Sequence, residues 1–242
     1  MVCFRRVALK NVLGQRGAFF RAARCGALRK GGMDSTENLR ARIELAARAL
    51  LTGGVVVYPT ETFYGLGASL GVAAGVERLV AIKGREAMKP LPVIAADEAS
   101  ARALWREFPL LAGRLAARFW PGPLTIVLPA REGVPRCVAP LGEVGVRVSP
   151  HPVALSLTRL VGPLVATSAN LAGGGEKTCV AAIDPAVVAR VDAVIDAGST
   201  PGGLPSTVLR VRGDRVQILR EGAISPEAIA AVVGEWGGAI DG

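Results

Sequence analysis

Hydroxyl and carboxylate side chains are concentrated in a short segment that directly follows an apolar run. The run ends at Pro59, and Glu61 and Thr62 stand at the centre of the polar segment behind it. Continuous β-branched residues bounded by glycine and proline are typical of a buried strand. Gly65 and Gly67 follow, and glycine lets a backbone approach a ligand closely. The pattern fits a simple turn, and it also fits one wall of a substrate pocket.

A second polar segment places three cations within seven residues, at Lys83, Arg85 and Lys89. Phosphate oxygens prefer charge-assisted hydrogen-bond donors, so this spacing suits a polyphosphate ligand. The segment is not a Walker A loop, because the pattern GxxxxGK[ST] does not occur there. A solvated basic loop is the alternative interpretation.

Three further segments place polar side chains at the ends of predicted strands or inside them. Ser168 and Asn170 follow a predicted strand, although a turn or helix cap would use the same residues. Arg147 lies inside an apolar strand. Because an unpaired buried charge is costly, Arg147 is expected to form an ion pair or to bind a carboxylate or phosphate. Ser206 and Thr207 begin another strand, where an ordinary turn hydroxyl is the alternative.

The composition narrows the chemistry that these residues can perform. His151 is the sole histidine, which excludes a multi-histidine metal site and argues against a serine–histidine–aspartate triad. The four cysteines contain no CxxC pair, so neither a disulfide framework nor a zinc site is predicted, and a reducing, cytoplasmic location is expected. The chemistry is therefore expected to rest on hydroxyls, cations and backbone groups, without a metal ligand from a side chain.

The net charge of +9 is concentrated in the first 33 residues, which contain eight basic residues and no acidic one. The remaining residues carry 21 basic and 20 acidic side chains, which argues against a large nucleic-acid footprint there. The leader, residues 1–33, is predicted to be disordered or to lie upstream of a true start at Met33. A mitochondrial transit peptide is the alternative. Residues 34–235 are predicted to form one domain, and residues 236–242 a C-terminal tail.

Strands and helices alternate along the predicted domain, which is typical of an α/β fold. A first helix is expected to begin at Asp34 and to end at Gly53. The hairpins among the units, one of them around Gly213, predict a mixed sheet. The main strands are expected in the segments GVVVYP, KPLPVIAA, PLTIVLPA, GEVGVRVS and PLVATSAN.

Seven segments, taken in order, are similar to the YrdC-like threonylcarbamoyl-AMP synthases: YPTETFYGLG, KGREAMKPLPV, FWPGPLTIVL, GVRVSPHP, ATSANLAG, PSTVL and LREGAIS. The resemblance covers nearly all of residues 36–230. It implies a three-layer single domain around a twisted mixed parallel and antiparallel sheet. It also implies an enzyme that makes threonylcarbamoyl-AMP and pyrophosphate from L-threonine, bicarbonate and ATP with Mg²⁺. A threonylcarbamoyltransferase would accept this product for the threonylcarbamoyladenosine modification of tRNA.

The resemblance implies a role for individual residues as well. L-Threonine would contact Thr62, Arg147 and Ser206, and the planar fork of Arg147 would bind the carboxylate. Lys83 and Arg85 would be the catalytic residues at the phosphates. The residues that bind ATP would be Arg85, Lys89, Ala166, Ser168, Asn170 and Arg220.

Several positions depart from the family pattern. Ile94 stands where relatives often carry histidine, and Ser149 and Glu221 each replace a usual proline. Glu143 occupies a position where a small hydroxyl residue often meets the nucleotide. These departures leave the corresponding contacts open.

The alternative to an enzyme is a module of the same fold that binds double-stranded RNA or tRNA without catalysis. A weak tRNA contact of the basic loop is compatible with both readings. Salt-dependent RNA binding without threonine-dependent turnover would favour the binding module. The carbamoyltransferases of hydrogenase maturation share a related domain, but they need zinc-finger and acylphosphatase-like modules for which this chain has neither the cysteines nor the length.

Overall fold

The computed structural model describes residues 34–84, 89–171 and 174–241, and ten strands of this part of the chain form one sheet. The strands are β1 (Val56–Pro59), β2 (Tyr64–Ser69), β3 (Val93–Ala95), β4 (Leu124–Pro129), β5 (Glu143–Val148), β6 (Leu164–Ser168), β7 (Ala193–Val194), β8 (Thr207–Arg212), β9 (Arg215–Arg220) and β10 (Ala239–Asp241). The α-helices are α1 (Asp34–Leu51), α2 (Ala73–Lys83), α3 (Glu98–Arg102), α4 (Leu110–Phe119), α5 (Pro152–Val161), α6 (Pro185–Val188) and α7 (Pro226–Glu235).

The sheet mixes parallel and antiparallel neighbours, as the sequence predicted. Its strand order is β10-β9-β8-β4-β5-β3-β6-β2-β1-β7. The pairs β1–β7, β3–β5, β4–β8 and β9–β10 are parallel, and the other neighbours are antiparallel. The α/β fold class with a mixed sheet is therefore confirmed.

Helices bury apolar side chains against both faces of the sheet. On one face, Leu50 of α1 and Leu157 of α5 pack in one cluster with Ile94 of β3. On the other face, a larger cluster includes Leu79 of α2 and Leu115 of α4. A sheet between two helical layers gives the three layers that the resemblance implied. Within the described residues, no helix is long and apolar enough to span a membrane.

Strand β2 was not predicted from the sequence, although it lies inside the sheet between β1 and β6. Its two glycines, Gly65 and Gly67, are residues that strands generally disfavour. At Gly67 a glycine is required because the ring of Tyr58 lies against its Cα, whereas a Cβ atom on Gly65 would be 3.2 Å from the carbonyl oxygen of Thr167. A Cβ atom on Gly67 would stand 2.5 Å from the Tyr58 ring. Tertiary packing therefore makes a strand from a segment with weak strand propensity.

A methyl group at Gly67 should consequently destabilise the fold. We expect Gly67→Ala to lower the free energy of unfolding by about 1–3 kcal/mol, because the core cannot absorb the added volume without moving Tyr58. Urea denaturation followed by circular dichroism measures the change. Gly71→Ala is the matched control, since the nearest atom to its Cβ would be 3.9 Å away. Equal stabilities of the two variants would contradict the close packing at Gly67.

The prediction from the sequence is confirmed at the start of the described domain but not at its end. Helix α1 begins at Asp34, as expected. Residues 236–242 were predicted to be a tail, but Ala239–Asp241 instead forms β10 and pairs in parallel with β9, where Asp241 contacts Arg215. A strand of three residues is too short to be recognised from its own pattern, and its partner supplies the hydrogen bonds. The predictions for residues 1–33 lie outside the described residues.

His151 caps the N-terminus of α5 with its imidazole. Its Nδ1 atom accepts a hydrogen bond from the backbone N–H of Val153 at 3.2 Å. Burial lowers the pKa of His151. Protonation would turn the accepting nitrogen into a donor and would place a positive charge at the positive end of the helix dipole. The cap therefore stabilises the fold above the pKa of an unfolded histidine, about 6.5, and its contribution is lost as the pH falls below that value.

We expect the free energy of unfolding to fall by about 0.5–2 kcal/mol from about pH 7.5 to about pH 5.5, which is the range for the loss of one N-cap. Urea denaturation at a series of pH values measures this fall. His151→Asn retains a capping oxygen but does not titrate, so its stability should stay nearly constant over the same interval. The same pH profile in both proteins would contradict the assignment to His151.

Candidate active site

A cavity of about 360 Å³ lies where the turn between β1 and β2 meets the end of β6. Arg147 of β5 and Ser206, which directly precedes β8, complete its wall. Small-molecule sites typically have volumes of about 300–1,000 Å³. Segments that are far apart in the sequence thus converge on one site of ordinary ligand size.

The turn between β1 and β2 is organised by Thr60. Its hydroxyl donates a hydrogen bond to the carbonyl oxygen of Phe63 at 2.7 Å, and its backbone N–H donates to the same oxygen at 3.1 Å. The hydroxyl oxygen also accepts from the backbone N–H groups of Thr62 and Phe63, both at 3.3 Å. The turn therefore presents Thr62 to the cavity from a hydrogen-bonded frame.

Lys83, the last residue of α2, anchors the turn that follows β6. Its side chain is buried, and its ammonium group donates to the carbonyl oxygens of Ser168 at 2.9 Å and Asn170 at 2.7 Å. It also donates to the Ser168 hydroxyl at 3.1 Å and to the side-chain oxygen of Asn170. The Ser168 hydroxyl in turn donates to that side-chain oxygen at 2.7 Å. Lys83 therefore lines the cavity and orders the Ser168–Asn170 turn at the same time.

Arg147 brings a buried positive charge to the cavity wall. Its side chain is 11% exposed, and Nη1 donates to the carboxylate of Glu61, whose side chain is 10% exposed. The hydroxyl of Ser149 donates to the other carboxylate oxygen of Glu61. Burial, together with the charge of Arg220, lowers the pKa of Arg147 to about 10, so the guanidinium remains charged at neutral pH. The sequence left an ion pair or a ligand contact open, and the structure shows the ion pair.

Ser206 is held in place by Arg220 and Thr125. The Nε and Nη2 atoms of Arg220 donate to the carbonyl oxygen of Ser206 at 3.2 Å and 2.6 Å, and Nη2 also donates to its hydroxyl at 3.1 Å. The hydroxyl of Thr125 lies 3.1 Å from that of Ser206. The Ser206 hydroxyl is thus fixed on the cavity wall by side chains of β4 and β9, the strands on either side of β8.

Glu143, which departs from the family pattern, lines a second cavity of about 270 Å³. Its carboxylate pairs with Arg210 at 2.7 Å and with Arg212 at 3.3 Å. The two cavities share the residues Pro92, Ser206 and Arg220. The second cavity therefore adjoins the first at its Ser206 side.

The comparison with protein families matches most of the chain to one family. The Sua5/YciO/YrdC family model, described as telomere recombination, matches residues 48–222. The chain belongs to the Sua5/YciO/YrdC family. The resemblance that the sequence motifs indicated is thereby confirmed.

Curated members of the family are similar over most of this chain. The chain is 39% identical over 205 residues to the threonylcarbamoyl-AMP synthase of Pyrococcus abyssi, which covers 82% of this chain and 60% of that protein. It is 39% identical over 196 residues to the threonylcarbamoyl-AMP synthase of Bacillus subtilis, covering 80% and 57%. The chain thus spans about 60% of the length of these two relatives. With the threonylcarbamoyl-AMP synthase of Xanthomonas axonopodis pv. citri it shares 39% identity over 186 residues, covering 74% and 97%.

Solved structures of the family share the fold. Pyrococcus abyssi Sua5 complexed with L-threonine is similar with a TM-score of 0.77 and 38% identity, over 82% of this chain and 58% of that one. Escherichia coli YciO is similar with a TM-score of 0.68 and 27% identity, over 76% and 90%. Full-length HypF, at 18% identity and a TM-score of 0.64, is similar in fold alone. The YrdC-like fold that the resemblance implied is therefore confirmed.

Most of the side chains predicted to form the family's substrate site lie around the first cavity. Lys89 is described as exposed and does not line this cavity, and Arg85 lies outside the described residues. The individual roles of all these residues stay predictions. The predicted site residues that line the cavity are Thr62, Lys83, Arg147, Ala166, Ser168, Asn170, Ser206 and Arg220.

Sequence reasoning assigned no role to some residues that build the site. Glu61 was recognised as a carboxylate in the turn, but not as the partner of Arg147. Ser149 was noted as a departure from the family pattern, but not as a hydrogen-bond donor to Glu61. Glu176, which lines the cavity, and Thr125, which contacts Ser206, were not singled out. One signal was available: Glu61 and Arg147 are opposite charges, each next to an apolar strand segment.

Proposed function

We propose that this chain is a nucleotidyltransferase that makes threonylcarbamoyl-AMP and pyrophosphate from L-threonine, bicarbonate and ATP. The observation that carries the proposal is one cavity that is lined both by Arg147 and by the Lys83-anchored turn after β6. A charged guanidinium suits an amino-acid carboxylate, and a turn anchored by an ammonium group suits phosphates. The names of the curated relatives support the same activity.

L-Threonine is placed in this proposal between the β1–β2 turn and Ser206. Arg147 would bind its carboxylate in a bidentate manner, a geometry that the planar guanidinium provides and an ammonium does not. The hydroxyls of Thr62 and Ser206, both on the cavity wall, would bind the remaining polar groups of the amino acid. A relative's structure complexed with L-threonine supports this choice of substrate.

ATP is placed along the other side of the cavity. Its phosphates would bind at Lys83, Ser168, Asn170 and the backbone of Ala166, and Arg220 would close over them. Arg85 and Lys89 complete the predicted set of phosphate contacts. The adjoining cavity at Glu143 offers an apolar wall for the adenosine.

Magnesium enters this reaction as the counter-ion of ATP and thus as part of the substrate. Within the described residues, no group of three or more His, Cys, Asp or Glu side chains could hold a metal ion. The charged side chains on the described cavity wall are mainly cationic, with Lys83, Arg147 and Arg220 against Glu176. This set suits phosphate oxygens rather than a bare cation.

The chemistry requires positioning and charge stabilisation rather than an enzyme nucleophile. The amine of threonine takes up bicarbonate to form a carbamate, with loss of water. A carbamate oxygen then attacks the α-phosphate of ATP, and pyrophosphate leaves. Holding the carbamate and the α-phosphate together replaces a bimolecular encounter, and the cations stabilise the negative charge that develops on the phosphates. A threonylcarbamoyltransferase would then pass the threonylcarbamoyl group to tRNA.

Pyrophosphate release by the purified full chain tests the proposal. With Mg²⁺ and ATP, release should require both L-threonine and bicarbonate, and L-serine should support it much less well. Radioactive bicarbonate should appear in a nucleotide that separates from AMP by chromatography. Release that is indifferent to threonine would contradict the proposal, and salt-dependent tRNA binding under the same conditions would then favour the binding module.

A further inference from the structure

Glu61 lies behind Arg147 rather than on the cavity wall. Arg147, Thr60 and Thr62 line the cavity, whereas Glu61 does not, although it occupies the same turn as the two threonines. Its carboxylate contacts the Nη1 atom of Arg147 with one oxygen and the hydroxyl of Ser149 with the other. Both carboxylate oxygens are thus bound by protein groups.

Ser149 is itself fixed on the far side of this carboxylate. Its side chain is buried, and its hydroxyl oxygen accepts a hydrogen bond from the backbone N–H of His151 at 3.2 Å. These two hydrogen bonds, from His151 to Ser149 and from Ser149 to Glu61, therefore connect the start of α5 to the β1–β2 turn.

The ion pair determines which N–H groups of the Arg147 guanidinium remain for a ligand in the cavity. A guanidinium has five N–H donors in a planar fork, and the contact with Glu61 is made through Nη1. Arg147 is nearly buried, so its charge needs a permanent counter-ion, which Glu61 supplies. The remaining donors of the fork can then face a ligand without rearranging.

We propose that Glu61, supported by Ser149, is a positioning residue that orients Arg147 for the substrate carboxylate and thereby sets the affinity for the amino acid. This inference rests on the proposed function, because the carboxylate in question is that of L-threonine. Glu61 does not touch the substrate and acts through Arg147 alone. It should therefore affect the binding of threonine and leave the binding of ATP unchanged.

The test compares steady-state kinetics of the wild type with Glu61→Gln in the full chain. Glutamine keeps the shape and an accepting oxygen but loses the charge. We expect the KM for L-threonine to rise about 5- to 10-fold, because a charge-assisted hydrogen bond is roughly twice as strong as the neutral one that glutamine retains, while the KM for ATP changes less than about twofold. A merely structural role would instead lower the fraction of active enzyme, and hence kcat, with both KM values unchanged.

A double-mutant cycle shows whether Glu61 acts through Arg147. In an Arg147→Met background, adding Glu61→Gln should change the KM for threonine less than about twofold, because the residue that Glu61 orients is gone. The same factor in both backgrounds would overturn the proposal, since Glu61 would then act on the substrate independently. Equal threonine KM values in the wild type and Glu61→Gln would overturn it as well.

Ser149→Ala keeps the proposal testable if Glu61→Gln does not fold. This variant removes one hydrogen bond and leaves the ion pair in place, so the KM for threonine should rise about two- to fivefold. With Glu61→Gln unfolded, an unchanged KM in Ser149→Ala would overturn the proposal. Wild-type turnover is measured first. Its dependence on threonine tests the proposed function, so a failure of that function is distinguished from a failure of the role of Glu61.

Discussion

Replacing Arg147 with methionine is expected to lower kcat/KM for L-threonine by about 10³-fold or more. The proposed bidentate contact with the carboxylate is lost, and each factor of ten corresponds to about 1.4 kcal/mol of transition-state stabilisation. Methionine fills a similar volume, so the wall of the cavity should remain in place. Initial rates of pyrophosphate release at varied threonine concentration measure the effect.

The same substitution should also destabilise the fold. Glu61 would remain nearly buried with Ser149 but without its cation, and breaking a buried ion pair typically costs about 3–5 kcal/mol. Urea denaturation measures the loss, and adding Glu61→Gln should restore part of it. Arg212→Met is the control, since Arg212 also lies on a strand and pairs with a carboxylate but is 72% exposed. Its effect should stay below about 1 kcal/mol, with unchanged turnover. Equal effects of the two substitutions would contradict the role of Arg147.

Replacing Lys83 with methionine is expected to abolish most of the ATP-dependent activity and to destabilise the domain. The carbonyl oxygens of Ser168 and Asn170 would lose a buried donor, and buried groups without a partner cost about 1–3 kcal/mol each. We therefore expect a loss of about 2–4 kcal/mol in the free energy of unfolding. Because the turn would no longer be anchored, kcat/KM for ATP should fall by about 10²–10³, the scale for losing one preorganised donor.

Glu77→Met provides the control for this prediction. Glu77 lies on the same helix, α2, but its side chain is exposed, so the substitution should leave both stability and turnover nearly unchanged. Kinetics with varied ATP, together with urea denaturation of both variants, separate the two expected effects. A Lys83→Met protein with normal stability and a normal KM for ATP would contradict both the anchoring of the turn and the phosphate contact.

The alternation of helices and strands was readable from the sequence because helices carry an apolar stripe and the buried strands β1 and β4 are continuous apolar runs. Helix α1, the hairpin of β8 and β9, and the apolar strands β1 and β4 follow local patterns that do not depend on distant residues. Strands β2 and β10 were not predicted, because both depend on contacts with residues outside their own segments. The glycine-containing β2 is paired on both sides by β1 and β6, with Gly67 leaving room for the ring of Tyr58, and β10 pairs with β9.

At the candidate site, too, local features were predicted from the sequence and long-range contacts were not. The residue types were predicted from the sequence, because hydroxyls, cations and glycines at strand ends are local features. The contact of Arg147 with Glu61 was not, since the two residues are separated by 86 positions. The anchoring of the Ser168–Asn170 turn by Lys83 likewise joins residues more than 80 positions apart.

The sequence by itself therefore determined the fold class, the family and the set of chemical groups at the site. The fold class and the chemical groups follow from residue types and from spacing over a few positions, where steric and hydrogen-bonding preferences are local, and the family follows from the resemblance of the seven motifs. Only the tertiary structure decided which charge neutralises which, and which side chains reach the cavity. Because an unpaired buried charge is costly, Glu61 and Arg147 form an ion pair. The two residues are far apart in the sequence, and only the folded sheet brings the β1–β2 turn close to β5.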